Sequence, residues 1–312
     1  MSLPQEPMER VVGLSQLDWL QKFPQLGGYL REIGASVQTY LEWNKVEIAP
    51  NTWDWSYYDR QIELLQKLGL KWVLLVAHGQ AYGTPAWYKA SPECLYYRCV
   101  EHREETEVLS HWSPNTRRHA EELIHRLGER YPQELFSSLL LGPSGNSGET
   151  QYPCFSGTER WTGTYHSHYG LWAADEFAVQ DFRQHLLAQY GSLDALNRAW
   201  NSHYAHLDDL VPFVLRRAPS TRAWLDQIDW YCRAIEEYTE KWIGWFKAHY
   251  PPEMLYLAIG GGGFCLAGQD FSAQAKLAAQ HGIGCRITTD GTDYAWNFVN
   301  TRRLTAACRF YG

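Results

Sequence analysis

Leu139-Leu140-Leu141-Gly142-Pro143-Ser144-Gly145-Asn146-Ser147-Gly148-Glu149-Thr150-Gln151-Tyr152-Pro153 decides how this chain reads. The apolar run from Leu135 to Leu141 has the length and composition of a buried strand. It breaks into small and turn-forming residues and then presents one carboxylate, Glu149. Parallel sheets gather their active sites just beyond the C-terminal ends of their strands. A Glu held there by glycine turns, between Tyr152 and Phe155, suits acid chemistry. Partial desolvation by aromatic rings raises a carboxyl pKa toward the range a general acid needs. The competing reading is an exposed loop carboxylate with no special role.

Working outward, strand-like and helix-like segments alternate. Ala35 to Trp43 is rich in β-branched and aromatic residues and reads as a strand. Trp55 to Leu68 places Tyr58, Ile62, Leu65 and Leu68 at helical spacing and stops at Gly69. Lys71 to Ala77 is a strand with a continuous apolar centre. Thr116 to Tyr131 reads as a helix with Asn115 as its N-cap. Helices follow at Asp175 to Tyr190, Leu193 to Trp200 and Thr221 to Tyr250, the last ended by Pro251-Pro252. Met254 to Ile259 and Gly284 to Thr288 read as strands, and Ser272 to Gln280 and Asn297 to Ala307 as helices. Cys308 to Gly312 reads as the start of another strand. Alternation with continuous apolar strands implies a parallel sheet. With this many units and no Gly-x-Gly-x-x-Gly after the first strand, the expected fold is α/β, a (β/α)8 TIM-type barrel. About six or seven strands are visible, so the barrel is expected to be incomplete at its C-terminus. No linker divides the chain, which reads as a single domain over 1–312 with a long βα insertion at about 153–174, and as a fragment of a longer protein.

Composition narrows the function classes. At 312 residues and 45% hydrophobic, the chain can bury a large core. The net charge of -7 comes without a basic stripe, which argues against nucleic acid as a partner. No apolar run approaches the ~18 residues of a membrane span. The N-terminus lacks a basic and apolar leader, and seven scattered cysteines form no CxxC pair. They read as reduced thiols of a cytoplasmic protein. Cys94, Cys99 and Cys154 have poor spacing for a structural zinc. Aromatic residues are abundant, with 15 Trp and 20 Tyr, and several Trp fall in loops. Sugar rings stack their apolar faces on indoles while their hydroxyls seek hydrogen bonds. A cleft rich in Trp, Asp and Asn therefore suits carbohydrate, although core packing is the commoner fate of Trp.

Two motif regions now join. Glu42-Trp43-Asn44-Lys45-Val46-Glu47 follows the first strand, then Asn51-Thr52-Trp53-Asp54-Trp55 and a helix. Gly69-Leu70-Lys71, the next strand to His78, and Pro85-Ala86-Trp87 complete the series. This order resembles β-amylases of glycoside hydrolase family 14 and the N-terminal barrels of family 42 β-galactosidases. The loop Gly142 to Pro153 resembles the β-amylase Gly-Pro-x-Gly-Glu loop and its following Tyr-Pro, with Asn146-Ser147 inserted. The resemblance covers the chain from about Gly28 onward. It implies a glycosidase acting on oligo- or polysaccharide, with Glu149 as general acid and no cofactor.

Such enzymes need a second carboxylate, which either attacks the anomeric carbon or activates a water. Gly260 to Gly263 follows one late strand and offers no acid before Asp270. Thr289-Asp290-Gly291-Thr292-Asp293-Tyr294 follows the other, so Asp290 is the candidate within the chain. The alternatives are a helix cap at Asp290, or a second carboxylate beyond Gly312. Expected sugar contacts are Glu47, Trp55, His78, Trp87, Tyr152, Trp161, His166, His168, Trp172 and Asp293. Glu47 reads equally as a partner of Arg60 or Lys45, and His78 as a core histidine. Tyr165-His166-Ser167-His168 with Asp175 is a weak metal pattern; substrate contact or loop packing is preferred, and no metal is expected. A non-catalytic carbohydrate-binding barrel is the reading from another class. Oligomeric state is not legible.

Overall fold

The computed structural model describes residues 10–14, 18–154, 165–260, 262–288 and 293–312. Its centre is a sheet of six strands: β1 (Arg10–Gly13), β2 (Ala35–Glu42), β3 (Trp72–Ala77), β4 (Phe136–Gly142), β5 (Leu255–Ile259) and β6 (Gly284–Ile287). Spatial order follows chain order, and every neighbouring pair is parallel. The main helices are α1 (Pro24–Glu32), α2 (Ser56–Leu68), α3 (Pro114–Arg130), α4 (Glu176–Tyr190), α5 (Leu193–Trp200), α6 (Thr221–Lys247), α7 (Phe271–His281) and α8 (Tyr294–Tyr311). Two antiparallel hairpins interrupt the alternation, one pairing Glu47–Ala49 with Thr52–Trp53, the other Tyr96–Arg98 with Glu105–Leu109.

The central strands β3, β4 and β5 are buried on both faces, and the two faces differ. Alternate residues of one strand point to opposite sides. Leu74 and Val76 of β3, with Leu139 and Leu141 of β4, join the large core formed with the helices. Val73, Leu75 and Ala77, with Leu140 and Ala258, form a separate small cluster flanked by Tyr40 and Tyr256. This second face lies inside the curl of the sheet. Arg286 on β6 reaches the Gln38 side chain on β2 at 3.5 Å, with three strands between them. In a flat sheet, at ~4.8 Å per strand, those backbones would lie about 19 Å apart, beyond the combined reach of the two side chains. Among the described residues β1 and β6 do not pair with each other. The expected barrel is therefore present as a curled, incomplete one.

Helix ends follow local chemistry. Asp175, Ser192, Ser220, Asp270 and Asp293 each accept a hydrogen bond from the first turn of the helix that follows. Gly69 ends α2 in the left-handed conformation at φ 67°. Three expectations need correction. The cap of α3 is Ser113, which accepts from the Thr116 amide at 3.4 Å; Pro114 takes the first helical position and Asn115 lies inside the turn. The long helix ends at Lys247 rather than Tyr250. Cys308 to Gly312 is not a strand, because α8 runs to Tyr311. Asn300 and Leu304 are buried at helical spacing and Cys308 extends that stripe into the core, so the helix period outweighs the aromatic content of the last residues.

Inside α6, burial lifts the Glu236 carboxyl to about 8, with Asp270 adding to the shift. A folded-state value above the unfolded one means the folded chain holds the extra proton. The resulting stability is complete near pH 4 and is lost as pH rises through about 8. Glu236→Gln should therefore remove a decline approaching about 1.4 kcal/mol per pH unit across that window. Urea unfolding of both proteins at pH 5, 6, 7 and 8 checks it; parallel pH dependences would refute it.

Candidate active site

Glu149 lies at the end of a six-residue turn that begins where β4 stops. Ser144 and Glu149 exchange backbone hydrogen bonds, Ser144 N to Glu149 O at 3.2 Å and Glu149 N to Ser144 O at 2.9 Å. Gly145 at φ 73° and Gly148 at φ 93° take backbone conformations that other residues rarely adopt. A Cβ on Gly145 would sit 3.0 Å from Glu149 Oε2, so the carboxylate folds back over the turn. The turn is fastened to its surroundings. Gln80 Nε2 donates to Ser144 O at 2.9 Å, Tyr82 OH to Ser147 O at 3.3 Å, and Tyr97 OH meets Ser144 Oγ at 2.8 Å. On the other side, Thr150 N donates to Ala258 O at 2.7 Å, tying the residue after Glu149 to β5.

Glu149 is only 4% exposed. Burial raises the Tyr82 phenol well above its ordinary value, and Tyr40, Glu149, Glu42 and Tyr165 add to the shift, so Tyr82 stays a neutral donor at this mouth. Burial, then the Glu149 charge, likewise holds Cys154 as a thiol. Gln151 is 1% exposed, and neither of its amide atoms has a hydrogen-bond partner among the described residues. Gly260 at the end of β5 makes room for it, since a Cβ there would lie 1.8 Å from Gln151 Oε1. A buried carboxyl beside an unsatisfied amide and neutral phenols can offer a proton and orient hydroxyl groups.

The sequence profile of Glycosyl hydrolase family 14 matches residues 28–212. This chain belongs to that family. Among curated relatives of the family 14 chain, a β-amylase of Cytobacillus firmus is 25% identical over 65% of it and 47% of the relative. A β/α-amylase of Paenibacillus polymyxa is 26% identical over 65% of it and 18% of the relative. The chain thus spans less than half the length of either. Among solved structures, the catalytic domain of β-amylase from Paenibacillus polymyxa superposes with a TM-score of 0.80 at 19% identity, covering 97% of this chain and 83% of that one. A β-galactosidase of Marinomonas ef1 gives 0.63 at 17% identity, covering 91% and 41%. At these identities the likenesses show the fold.

Several residues expected at the sugar site take packing roles in this family 14 chain. Glu47 is buried; Oε2 accepts from Trp43 Nε1 at 2.6 Å and Oε1 from the Asn51 amide at 2.9 Å. It pairs with neither Arg60 nor Lys45, and Lys45 binds Glu42 at 2.6 Å instead. Trp87 donates to the Glu47 carbonyl at 2.9 Å and packs edge-on to Trp43. Trp55 stacks on Trp53 and meets the edge of Tyr131. His78 lies 4.5 Å from the Trp43 ring, and burial lowers it to about 3, with His119 contributing. Tyr152 stacks on Tyr231 at 3.9 Å and donates to its carbonyl at 2.9 Å. Trp172 is fully buried, and its indole donates to His168 O at 3.1 Å. Asp293 caps α8 through the Trp296 amide at 2.9 Å. Phe155, Trp161 and Asp290 lie outside the described residues.

The structure instead brings Tyr82 and Gln151 beside Glu149, and Tyr82 also lies within reach of the Glu42 charge. Glu42 ends β2, the position where barrel strands present functional groups, and that position was the available signal. Tyr82 and Gln151 carried no pattern of their own. Gly148 is the most demanding position of the turn, because a Cβ there would lie 2.9 Å from Ala77 Cβ and from Leu75 Cδ2. Gly148→Ala should cost about 1–3 kcal/mol of stability. Chemical denaturation checks this, and an unchanged midpoint would show that the turn yields.

Proposed function

We propose that this chain is a glycosidase of one barrel-type unit over 1–312, cleaving O-glycosidic bonds with Glu149 as general acid. One observation carries the reading: a buried carboxylate fixed at the C-terminal end of a central parallel strand, in a chain of family 14. Glu149 gives its proton to the glycosidic oxygen as the bond to the anomeric carbon breaks. A second carboxylate attacks that carbon or takes a proton from the attacking water. Asp290, in the segment after β6, is the proposed second group. Gln151 holds sugar hydroxyls through its otherwise unspent amide, beside the neutral phenol of Tyr82. The curated relatives are named β-amylase and β/α-amylase, which favours an α-glucan over a β-galactoside.

A specific observation supports a second reading. The described residues just past β5 and β6 include Gly260, Gln269 and Thr288, and the first carboxylate after β5, Asp270, caps α7. A barrel that binds sugar without cleaving it fits that arrangement. The two readings part in one experiment, product release from α-glucosides, β-galactosides and activated aryl glycosides by the natural chain and Glu149→Gln. The glycosidase reading expects Glu149→Gln to lower turnover of unactivated substrate by about 10²–10⁴-fold. Substrates with good leaving groups should suffer far less, since they need little protonation. Equal rates for the two proteins would remove Glu149 from the chemistry. Saturable maltooligosaccharide binding by calorimetry with no hydrolysis would establish the binding barrel.

Gln151→Ala offers a separate check on the site. It should weaken sugar binding by about 1–3 kcal/mol if the amide meets a hydroxyl. An unchanged dissociation constant would assign Gln151 to packing.

A further inference from the structure

The second hairpin and the segment after the Glu149 loop bring four metal-ligating side chains together. Cys99 and His102 stand in the turn joining Tyr96–Arg98 to Glu105–Leu109, and His166 and His168 lie on the segment that packs beside it. One ligand atom from each lies within 4.8 Å of every other. Cys99 Sγ is 3.2 Å from His168 Nε2 and 3.6 Å from His102 Nδ1, and His102 Nδ1 is 3.2 Å from His166 Nε2. Around a tetrahedral zinc, bond lengths near 2.05 Å to nitrogen and 2.3 Å to sulfur set ligand separations of about 3.4 Å and about 3.6 Å. Cys94, Cys154 and Asp175 are not part of the cluster.

The outward-facing atoms support the same reading. His168 Nδ1 lies 2.9 Å from the Tyr169 carbonyl, the contact that leaves Nε2 with its lone pair toward Cys99. His166 Nδ1 faces Glu104 Oε2 at 3.5 Å. The His102 amide points at Cys99 Sγ at 3.3 Å, while the thiol proton goes to Glu101 Oε2 at 3.1 Å, the proton a bound ion would displace. The two segments are independently paired, with Val100 N to Leu171 O at 2.7 Å and Ala174 N to Arg98 O at 2.9 Å, so the ligands are held in place before any ion arrives. His102 is exposed, which gives an ion a way in.

We propose that Cys99, His102, His166 and His168 form a structural zinc site. Four protein ligands of nitrogen and sulfur complete a tetrahedron and leave no position for substrate, so the ion staples rather than catalyses. The staple reaches the Glu149 turn through Asn146, whose Nδ2 donates to Tyr165 OH at 2.9 Å and to Ser167 Oγ at 3.0 Å, beside both histidine ligands. This inference stands apart from the glycosidase reading and holds for a binding barrel equally.

The test is metal content, measured by mass spectrometry on the chain purified from zinc-supplemented medium without chelators or a histidine tag. The expected result is about one zinc per chain, reduced to background in His102→Ala and in Cys99→Ser. His102→Ala removes an exposed side chain, so it remains informative if Cys99→Ser does not fold. Cobalt(II) substitution should give the visible bands of a tetrahedral ion and a thiolate charge-transfer band that Cys99→Ser abolishes. A zinc-free natural chain, or zinc retained by His102→Ala and Cys99→Ser alike, would overturn the proposal and leave a hydrogen-bonded Cys–His cluster.

Discussion

Gly142 and Gly148 meet where no side chain fits. A Cβ on Gly142 would lie 2.8 Å from the Gly148 carbonyl oxygen and 2.9 Å from that of Val76. Gly148 in turn rests on Leu75 and Ala77 of β3. This close approach lets the chain leave β4, turn back on itself and present Glu149 in a fixed position rather than on a swinging loop. The cross-links from Gln80, Tyr82 and Tyr97 presuppose it, because each reaches an atom of the same turn.

The division of labour between the two faces of the sheet follows from side-chain volume. The inner face is filled by a few small and medium residues, with Tyr40 and Tyr256 at its margin. The outer face carries nearly all the bulk, including Trp43, Trp72, Trp172, Trp200, Trp230 and Trp242, all almost fully buried. Much of the aromatic richness that suggested sugar stacking is therefore spent on wedging helices and hairpins against the strands. Buried indoles bring an N–H that needs an acceptor. Glu47, Thr39, Asp226 and Asp181 supply it to Trp43, Trp72, Trp200 and Trp230. Glu47, which the sequence left equally as a hydroxyl ligand or an ion-pair partner, accepts from an indole instead of pairing with a cation.

The legible parts of the sequence were those governed by local pattern. The strands from Ala35, Lys71 and Leu135, and the helices ended by glycine or begun by an acidic cap, stand where periodicity and capping chemistry place them. Glu149 was legible because glycines and a strand end mark its position. The rest depends on contacts between distant segments. Cys99 and His102 precede His166 and His168 by more than sixty residues, and the spacing within each pair gives no hint of the other. Gln151 gains its interest from the space left by Gly260, which no local pattern records. β1 and α1 carry too few periodic residues to announce themselves.

The His78 environment has a consequence for kinetics. Its ring lies against Trp43 in a pocket that excludes water, and its proton is lost near pH 3. Throughout the range in which carbohydrate-active proteins are assayed, this imidazole keeps one charge state. Neither limb of a bell-shaped rate profile can then originate from it, although it ends a barrel strand, where a titrating histidine would ordinarily be sought. An inflection near neutrality would have to be assigned elsewhere, to a carboxyl lifted by burial or to a histidine in contact with water.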